Sequence, residues 1–264
     1  MKKLLSIVMA LALVVCCFAG CGKKNSSDTD YVKEKGKLVV GITDFEPMDY
    51  QEDGKKGEWI GFDADMAKAF AKELGVDVEF IEIDWDNKIM ELKNKSIDCV
   101  WNGMTITDEV KNSMAVSNAY CKNTQVVVVK KDVADKYQTV EGLKDLKFAA
   151  EAGSAGESAL KDLGYNVTAV TAQSDALMEV NAGTSDAAVI DLLMAGAMVG
   201  EGTSYENLTY TVGVAEEEDY GVGFRKGSDL AAKLNDFFKK AYSDGSMMKT
   251  AENYGVQESI IEQK

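Results

Sequence analysis

Short runs of β-branched residues alternate with segments of helical hydrophobic periodicity along most of the chain. Its first part predicts strands at 37–42, 76–81 and 97–100, separated by helices at about 63–74 and 86–94. The apolar residues of the first helix recur at helical spacing and share one face: Phe62, Met66, Ala69, Phe70 and Leu74. Strands that alternate with amphipathic helices predict a mainly parallel sheet covered by helices.

A second set of elements begins after Asn123 and repeats this alternation. The predicted strands are 125–129, 147–150, 167–170 and 187–190, and the predicted helices lie near 140–146, from 157 onwards and at 174–182. After a short apolar run at 220–224, an apolar stripe predicts a C-terminal helix: Leu230, Leu234, Phe237, Phe238 and Tyr242. The pattern therefore predicts two α/β units without a sequence repeat.

The composition is that of a globular protein, with 46% hydrophobic and 28% charged residues. The chain has 44 acidic and 29 basic residues, and its net charge of −15 would repel phosphate backbones and anionic lipid surfaces. It has no His, which is the commonest general base and metal ligand at neutral pH. The sequence therefore predicts no nucleic-acid partner, no metal site, no cofactor and no catalytic residues.

The N-terminus has the three-part pattern of a secretory signal: a cationic start at Lys2 and Lys3, an apolar run at 4–19, and small residues. The apolar run is shorter than the ~20 residues that span a bilayer, which argues against a permanent transmembrane helix. The sequence Phe-Ala-Gly-Cys at 18–21 resembles the bacterial lipobox, in which the Cys becomes the lipid-bearing first residue. An incidental thiol at Cys21 is the alternative.

A polar segment follows Cys21, and it has nothing to bury, which is typical of a flexible tether. We therefore predict a signal peptide at 1–20, a lipidated Cys21 with its tether at 21–36, and an extracytoplasmic location anchored to the membrane by the lipid alone. Cys99 and Cys121 could form a disulfide outside the cytoplasm, and the sequence leaves that pairing open.

Polar and aromatic residues directly follow the predicted strands, where open α/β sheets place their ligands. Residues 153–157 open a helix with a Gly-rich approach, whose free N–H groups and dipole attract a carboxylate. Ser154 and Glu157 also fit a capping box, and both interpretations hold together. Asp191 is either the N-cap of the next helix or a partly buried carboxylate whose desolvation a ligand ammonium would offset.

Three aromatic residues, Phe45, Trp85 and Trp101, lie at strand ends rather than within an apolar stripe. They are candidates for a wall beside a ligand, with core packing as the alternative. The sequence Asn-Gly-Met-Thr at 102–105 is either a turn or a source of polar contacts.

In their order and spacing, these segments resemble the polar amino-acid-binding proteins of ABC importers, bacterial solute-binding protein family 3. The match runs from about Leu38 to near the C-terminus, and five runs carry it: GFDADMA at 61–67, IDWD at 83–86, IDCVWNGMTIT at 97–107, GSAG at 153–156 and SDAAVID at 185–191.

The resemblance implies the α/β periplasmic-binding-protein type II fold. Such a fold has two lobes, each a mainly parallel sheet flanked by helices, with two hinge crossings near 121–123 and 215–218. Lobe 1 would contain residues 37–122 and the C-terminal return at 216–264, and lobe 2 residues 123–215.

The resemblance also implies roles for individual side chains around an amino-acid-like ligand. Phe45 and Trp85 would flank the ligand side chain, and Asp191 would hold its α-ammonium. The polar contacts from lobe 1 would come from Asn102, Gly103 and Thr105, and those to the α-carboxylate from Ser154, Ala155 and Gly156.

One position departs from the family pattern. Val110 stands where the family usually has an Arg that clamps the ligand carboxylate. Lys111 is a candidate substitute, but a helix turns about 100° per residue, so the neighbouring side chain need not reach the site. The ligand classes that stay open are a free amino acid, a modified amino acid, a small peptide and another amine.

The sequence thus predicts a monomeric protein that captures a small amino-acid-like solute between two lobes and delivers it to the permease of an ABC importer. A dehydratase-like enzyme on the same fold is one alternative, with Glu151 as the candidate base; the chain lacks the Gly-x-Ser-x-Gly elbow, P-loop and zinc spacings. A solute-sensing surface lipoprotein without a transport role is the other.

Overall fold

The computed structural model describes residues 27–52 and 57–264. The predicted signal peptide at 1–20 and Cys21 lie outside these residues. In chain order the strands are β1 (Lys37–Ile42), β2 (Asp77–Glu82), β3 (Cys99–Val100), β4 (Met114–Val116), β5 (Cys121–Asn123), β6 (Gln125–Lys130), β7 (Phe148–Glu151), β8 (Val167–Val170), β9 (Ala187–Asp191), β10 (Leu208–Gly213), β11 (Glu218–Tyr220) and β12 (Gly223–Arg225).

The α-helices of the described residues are α1 (Asp28–Lys35), α2 (Phe62–Leu74), α3 (Lys88–Asn94), α4 (Asp108–Ser113), α5 (Ala155–Asp162), α6 (Gln173–Ala182), α7 (Leu192–Met198), α8 (Leu230–Ser243) and α9 (Ser246–Asn253). Short 3-10 helices lie at Trp85–Asn87, Lys131–Lys136, Val140–Leu143 and Gln257–Ser259. The predicted α-helix near 140–146 is therefore only a short 3-10 segment.

The strands form two five-stranded sheets, one in each lobe. The order is β2-β1-β3-β12-β4 in lobe 1 and β10-β6-β9-β7-β8 in lobe 2. The two-lobe α/β fold is confirmed, but each sheet is mixed rather than mainly parallel, with two parallel and two antiparallel strand pairs. The sheets are mixed because β6 and β12 enter them from the hinge side. These two strands are therefore antiparallel to their neighbours in the sheet.

The hinge is a two-stranded antiparallel ribbon formed by β5 and β11. Glu218 lies opposite Asn123, and Tyr220 lies opposite Cys121. β5 leads into lobe 2 and coincides with the predicted crossing at 121–123, whereas β11 leads back to lobe 1 and begins at the last residue of the predicted crossing at 215–218.

The end of the predicted tether is folded. Residues 28–35 form α1, whose N-cap is Ser27 and whose Val32 is fully buried in the lobe 1 core. Arg225 of β12 fixes the helix with an ion pair to Asp28 at 3.0 Å. The low apolar content of this segment predicted a flexible tether through residue 36. Burial of Val32 and the ion pair of Asp28 instead stabilise a helix there.

Cys99 in β3 and Cys121 in β5 are buried and not bridged. Burial raises the pKa of both thiols above the ordinary value, which disfavours the reactive thiolate. Across residues 27–52 and 57–264, no helix combines the length and the hydropathy that crossing a membrane requires.

Candidate functional site

A cleft with a cavity volume of about 280 Å³ opens between the two lobes and the hinge. It lies at the carboxyl ends of the parallel strands, the usual ligand position in open α/β sheets. The predicted site residues that line it are Trp85, Asn102, Gly103, Thr105, Ser154, Ala155 and Asp191. The cleft thus brings together residues that are distant in the sequence.

Asp191 is the last residue of β9, and its side chain is buried at the base of the cleft. One carboxylate oxygen, Oδ1, accepts hydrogen bonds from Gln125 Nε2 at 2.9 Å, from the Tyr220 hydroxyl at 2.6 Å and from Asn123 Nδ2. The other oxygen accepts a hydrogen bond from Gln173 Nε2. Donors from lobe 2 and from the hinge therefore hold this carboxylate in one orientation.

A second carboxylate, that of Glu218 in the hinge, shares donors with Asp191. Its Oε1 accepts hydrogen bonds from Asn123 Nδ2 at 2.7 Å and from Gln125 Nε2 at 2.6 Å. Burial, and then the negative charge of Glu218, raise the pKa of Asp191 to about 7. The two acids repel each other, so a cation that enters the cleft would stabilise both.

Glu151, the last residue of β7, also lines the cleft and is only 2% exposed. Its Oε1 has no hydrogen-bond partner among the described residues. Burial raises the pKa of Glu151 to about 8, so the side chain is mostly protonated at neutral pH. In that form it can donate one hydrogen bond and accept another.

The N-terminus of α5 faces the cleft, and Ser154 is its N-cap. The Ser154 Oγ accepts a hydrogen bond from Glu157 N at 3.1 Å, and Glu157 Oε2 accepts one from Gly153 N at 3.0 Å. The Ser-x-x-Glu sequence therefore acts as a cap. The backbone N–H groups of Ala155 and Gly156 have no acceptor within residues 27–52 and 57–264, which leaves donors for an anion.

The lobe 1 wall is a loop that follows β3. The Asn102 amide is fully used, because it accepts from Thr43 N at 3.0 Å and donates to Asp49 Oδ2 at 2.8 Å. Gly103 has φ 55°, and its N–H donates to Asp63 Oδ2 at 2.7 Å. These bonds fix the shape of the loop, whose hydroxyl-bearing residues in the cleft lining are Thr105 and Thr107.

Four predicted site residues do not line the cleft. Phe45 is buried behind Gly103, edge-on to the ring of Tyr220. Trp101 belongs to the lobe 1 core between Phe70 and Phe238, because it points into the lobe while the next residue along the chain faces the cleft.

The other two are Gly156 and Lys111. Gly156 packs against β6 and β9 of its own lobe, and a Cβ on this residue would lie 2.8 Å from Gln125 Oε1. Lys111 is exposed, lies 3.9 Å from Asp108 and borders a different surface depression, whereas Val110 lines the cleft. The turn of α4 therefore carries Lys111 away from the site, and it does not substitute for the expected Arg.

Sequence reasoning missed several lining residues: Lys88, Glu109, Gln125, Asp162, Gln173 and Glu218. Gln125 could have been found from strand pairing, since it begins β6 directly opposite Asp191. Lys88 is the sole cation among the described lining residues, and four carboxyl side chains accompany it besides the mostly protonated Glu151: Glu109, Asp162, Asp191 and Glu218. The cleft thus favours a ligand that carries positive charge.

Comparisons with known proteins agree in family, sequence and fold. A family model described as bacterial extracellular solute-binding proteins, family 3, matches residues 38–257. The arginine-binding extracellular protein ArtP of Bacillus subtilis is 31% identical over 257 residues, which cover 94% of this chain and 96% of that protein. The L-cystine-binding protein TcyJ of Escherichia coli is 31% identical over 254 residues, which cover 94% of this chain and 92% of that protein.

Among solved structures, the ancestral amino acid-binding protein AncCDT-1, a precursor of cyclohexadienyl dehydratase, matches with a TM-score of 0.78 and 34% identity. The match covers 86% of this chain and 99% of that one. The two-lobe fold of this chain is therefore similar to that of a protein described as amino acid-binding.

Proposed function

Since the chain belongs to the bacterial extracellular solute-binding proteins of family 3, we propose that it captures a small amino-acid-like solute between its lobes and delivers it to an ABC importer. The observation that carries the proposal is the shared cleft, in which Asp191 and the N-terminus of α5 face the same cavity. One group attracts an ammonium and the other a carboxylate. Relatives named for binding arginine and cystine support this ligand class.

Binding would proceed by closure of the two lobes. A ligand that touches both walls stabilises the closed form over the open one, and it shifts the population by its differential affinity. Closure removes water from the cleft, which strengthens the contacts to Asp191 and to the helix terminus. The aromatic face of Trp85 would cover the ligand from lobe 1.

A thermal-shift panel of the twenty common amino acids, cystine and short peptides tests this function. A ligand at 100 times its Kd stabilises the folded form by about 2.7 kcal/mol, which corresponds to a rise in Tm of roughly 5–10 °C for a protein of this size. We expect the largest rise for an amino acid with a cationic side chain and the smallest for Asp and Glu. No rise with any compound at 1 mM, on the order of typical cellular solute levels, would contradict the proposal.

The titration of Asp191 predicts how binding depends on pH. An ammonium binds the ionised carboxylate, which replaces the protonated form as the pH rises through about 7. We expect the affinity for a cationic ligand to rise by up to about tenfold per unit below pH 7, and to level off above about pH 8. Calorimetry at pH 6 in buffers of different ionisation enthalpy should detect proton release on binding.

Without ligand, the same raised pKa acts in the opposite direction on stability. The folded protein holds a proton that the unfolded chain has lost, so the contribution of Asp191 to the free energy of unfolding falls from about pH 4 to pH 8. In the calorimetric experiment with ligand, an affinity that stays constant from pH 5.5 to 8.5 would exclude Asp191 as the ammonium partner.

We also propose an extracytoplasmic monomer that a lipid on Cys21 anchors to the membrane, and a cleft that binds its ligand without turnover. Labelled palmitate should enter the wild-type protein and not a Cys21→Ser variant. Chromatography should recover the bound ligand unchanged. Its conversion would instead favour the dehydratase-like alternative with Glu151 as base.

A further inference from the structure

Lys88 connects the two lobes in the lining of the cleft. It is the first residue of α3 in lobe 1, directly after the 3-10 turn that contains Trp85. Its Nζ donates to Trp85 O at 3.1 Å within lobe 1 and to Gly153 O at 3.1 Å in lobe 2. Since Gly153 immediately precedes Ser154, the ammonium lies beside the N-terminus of α5.

The charge of Lys88 has no ion-pair partner within residues 27–52 and 57–264. Its two hydrogen-bond acceptors are neutral carbonyl groups, and its Nζ lies 4.9 Å from the centre of the Trp85 ring. An ammonium has three donors, so one remains for another acceptor. Burial lowers the pKa of Lys88, and an anion bound beside it would reverse that shift.

No other cation reaches this part of the cleft from the described residues. Val110 is 3% exposed and presents an apolar side chain, and Lys111 is outside the cleft. The free N–H group of Ala155, at the lining of the cleft, is the remaining feature that attracts an anion. A cation and a helix N-terminus therefore meet at one place in the lining of the cleft.

We propose that Lys88, together with the first turn of α5, binds the carboxylate of the ligand. Lys88 thus takes the role of the Arg that the family usually has at the position of Val110. The inference rests on the proposed function and specifies its ligand class. The ligand is a free amino acid with an accessible carboxylate, and its ammonium faces Asp191. An amine without a carboxylate would leave Lys88 unpaired among the cleft residues.

The test compares each amino acid with its carboxamide, which keeps the shape and loses the negative charge. The probes are L-arginine and L-argininamide, L-histidine and L-histidinamide, and L-glutamine and L-glutaminamide. Calorimetry should show that Lys88→Met lowers the affinity for the amino acid about 10- to 100-fold, the range for a charged hydrogen bond. The affinity for the carboxamide should stay the same or rise, because a repulsive positive charge is lost.

Two further variants separate this role from a structural one. Lys88→Arg should keep the preference for the carboxylate form, and Lys111→Met should leave both affinities unchanged. If Lys88→Met does not fold, as judged by its melting transition without ligand, Lys88→Gln provides the same comparison while keeping a donor for the carbonyl groups.

The possible failures are distinguishable. Equal losses for amino acid and carboxamide would mean that Lys88 only holds the lobes together, and this would overturn the inference. Unchanged binding by Lys88→Met would also overturn it, and the proposed function would stand. A wild-type protein that binds none of the amino acids would overturn the proposed function and this inference with it.

Discussion

Replacement of Asp191 by Asn is expected to lower ligand affinity by at least about 100-fold without unfolding the protein. The Asn side chain keeps the size of Asp and can still accept hydrogen bonds from Gln125 or Tyr220. It lacks the charge that compensates a buried ammonium, and loss of one partner of a buried ion pair costs about 3–5 kcal/mol. Calorimetry with the best ligand of the panel measures the loss.

Two matched variants accompany this experiment. Asp186→Asn makes the same chemical change at an exposed position just before β9, and Lys111→Ala removes the lysine outside the cleft. Both should bind within about threefold of the wild type, as surface changes usually cost less than 0.5 kcal/mol. A larger loss for Lys111→Ala than for Asp191→Asn would overturn the assignment of the ammonium site.

Gly153→Ala is expected to weaken ligand binding by preventing lobe closure. Gly153 lies in lobe 2, and a Cβ at this position would come within 2.8 Å of the Asp86 Cα in lobe 1. Such a contact involves backbone, which a rotamer change cannot relieve. The lobes would have to separate, so small-angle X-ray scattering with saturating ligand should show a larger radius of gyration than for the wild type, and affinity should fall at least about tenfold.

Gly164→Ala is the control for this substitution. Both glycines have positive φ, 71° at Gly153 and 78° at Gly164, so both variants should lose about 1–2 kcal/mol of stability from backbone strain. A Cβ at Gly164 would meet nothing within 4 Å. Similar losses of affinity in the two variants would mean that strain, and not a blocked closure, explains the effect.

The sequence predicted the two α/β lobes because hydrophobic periodicity is a local property. The buried strands and the amphipathic helices α2 and α8 agree with it closely. Directions of strand pairing are not local. β6 and β12 have apolar patterns like those of the parallel strands, and only the position of the hinge makes them antiparallel.

Side-chain direction limited the prediction of the site. Trp85 and Trp101 both follow strands, yet Trp101 turns into the core and Trp85 lines the cleft. One residue of shift in an extended segment moves a side chain to the opposite face, and the apolar pattern alone does not fix this shift. The position of Asp191 and Ser154 in the cleft lining was easier to predict, since a strand end and a helix cap place both groups near the same edge of one sheet.

The sequence pattern could not predict contacts between the two lobes. Lys88 matters because it meets Gly153 across the cleft, and no pattern within α3 indicates that contact. The donors around Asp191 come from α6, the hinge and β6, and they converge only once the chain has folded. The departure at Val110 was visible, but the contact of Lys88 with Gly153 exists only once the two lobes are placed together.

In the proposed function one ligand lies between the lobes, with its ammonium at Asp191 and its carboxylate at the N-terminus of α5. A crystal structure with the tightest-binding amino acid of the panel tests it most directly. We expect an ammonium nitrogen within hydrogen-bond distance of Asp191 and a carboxylate oxygen within hydrogen-bond distance of the Ala155 N–H. Ligand density outside the cleft, or a ligand in contact with one lobe only, would contradict it.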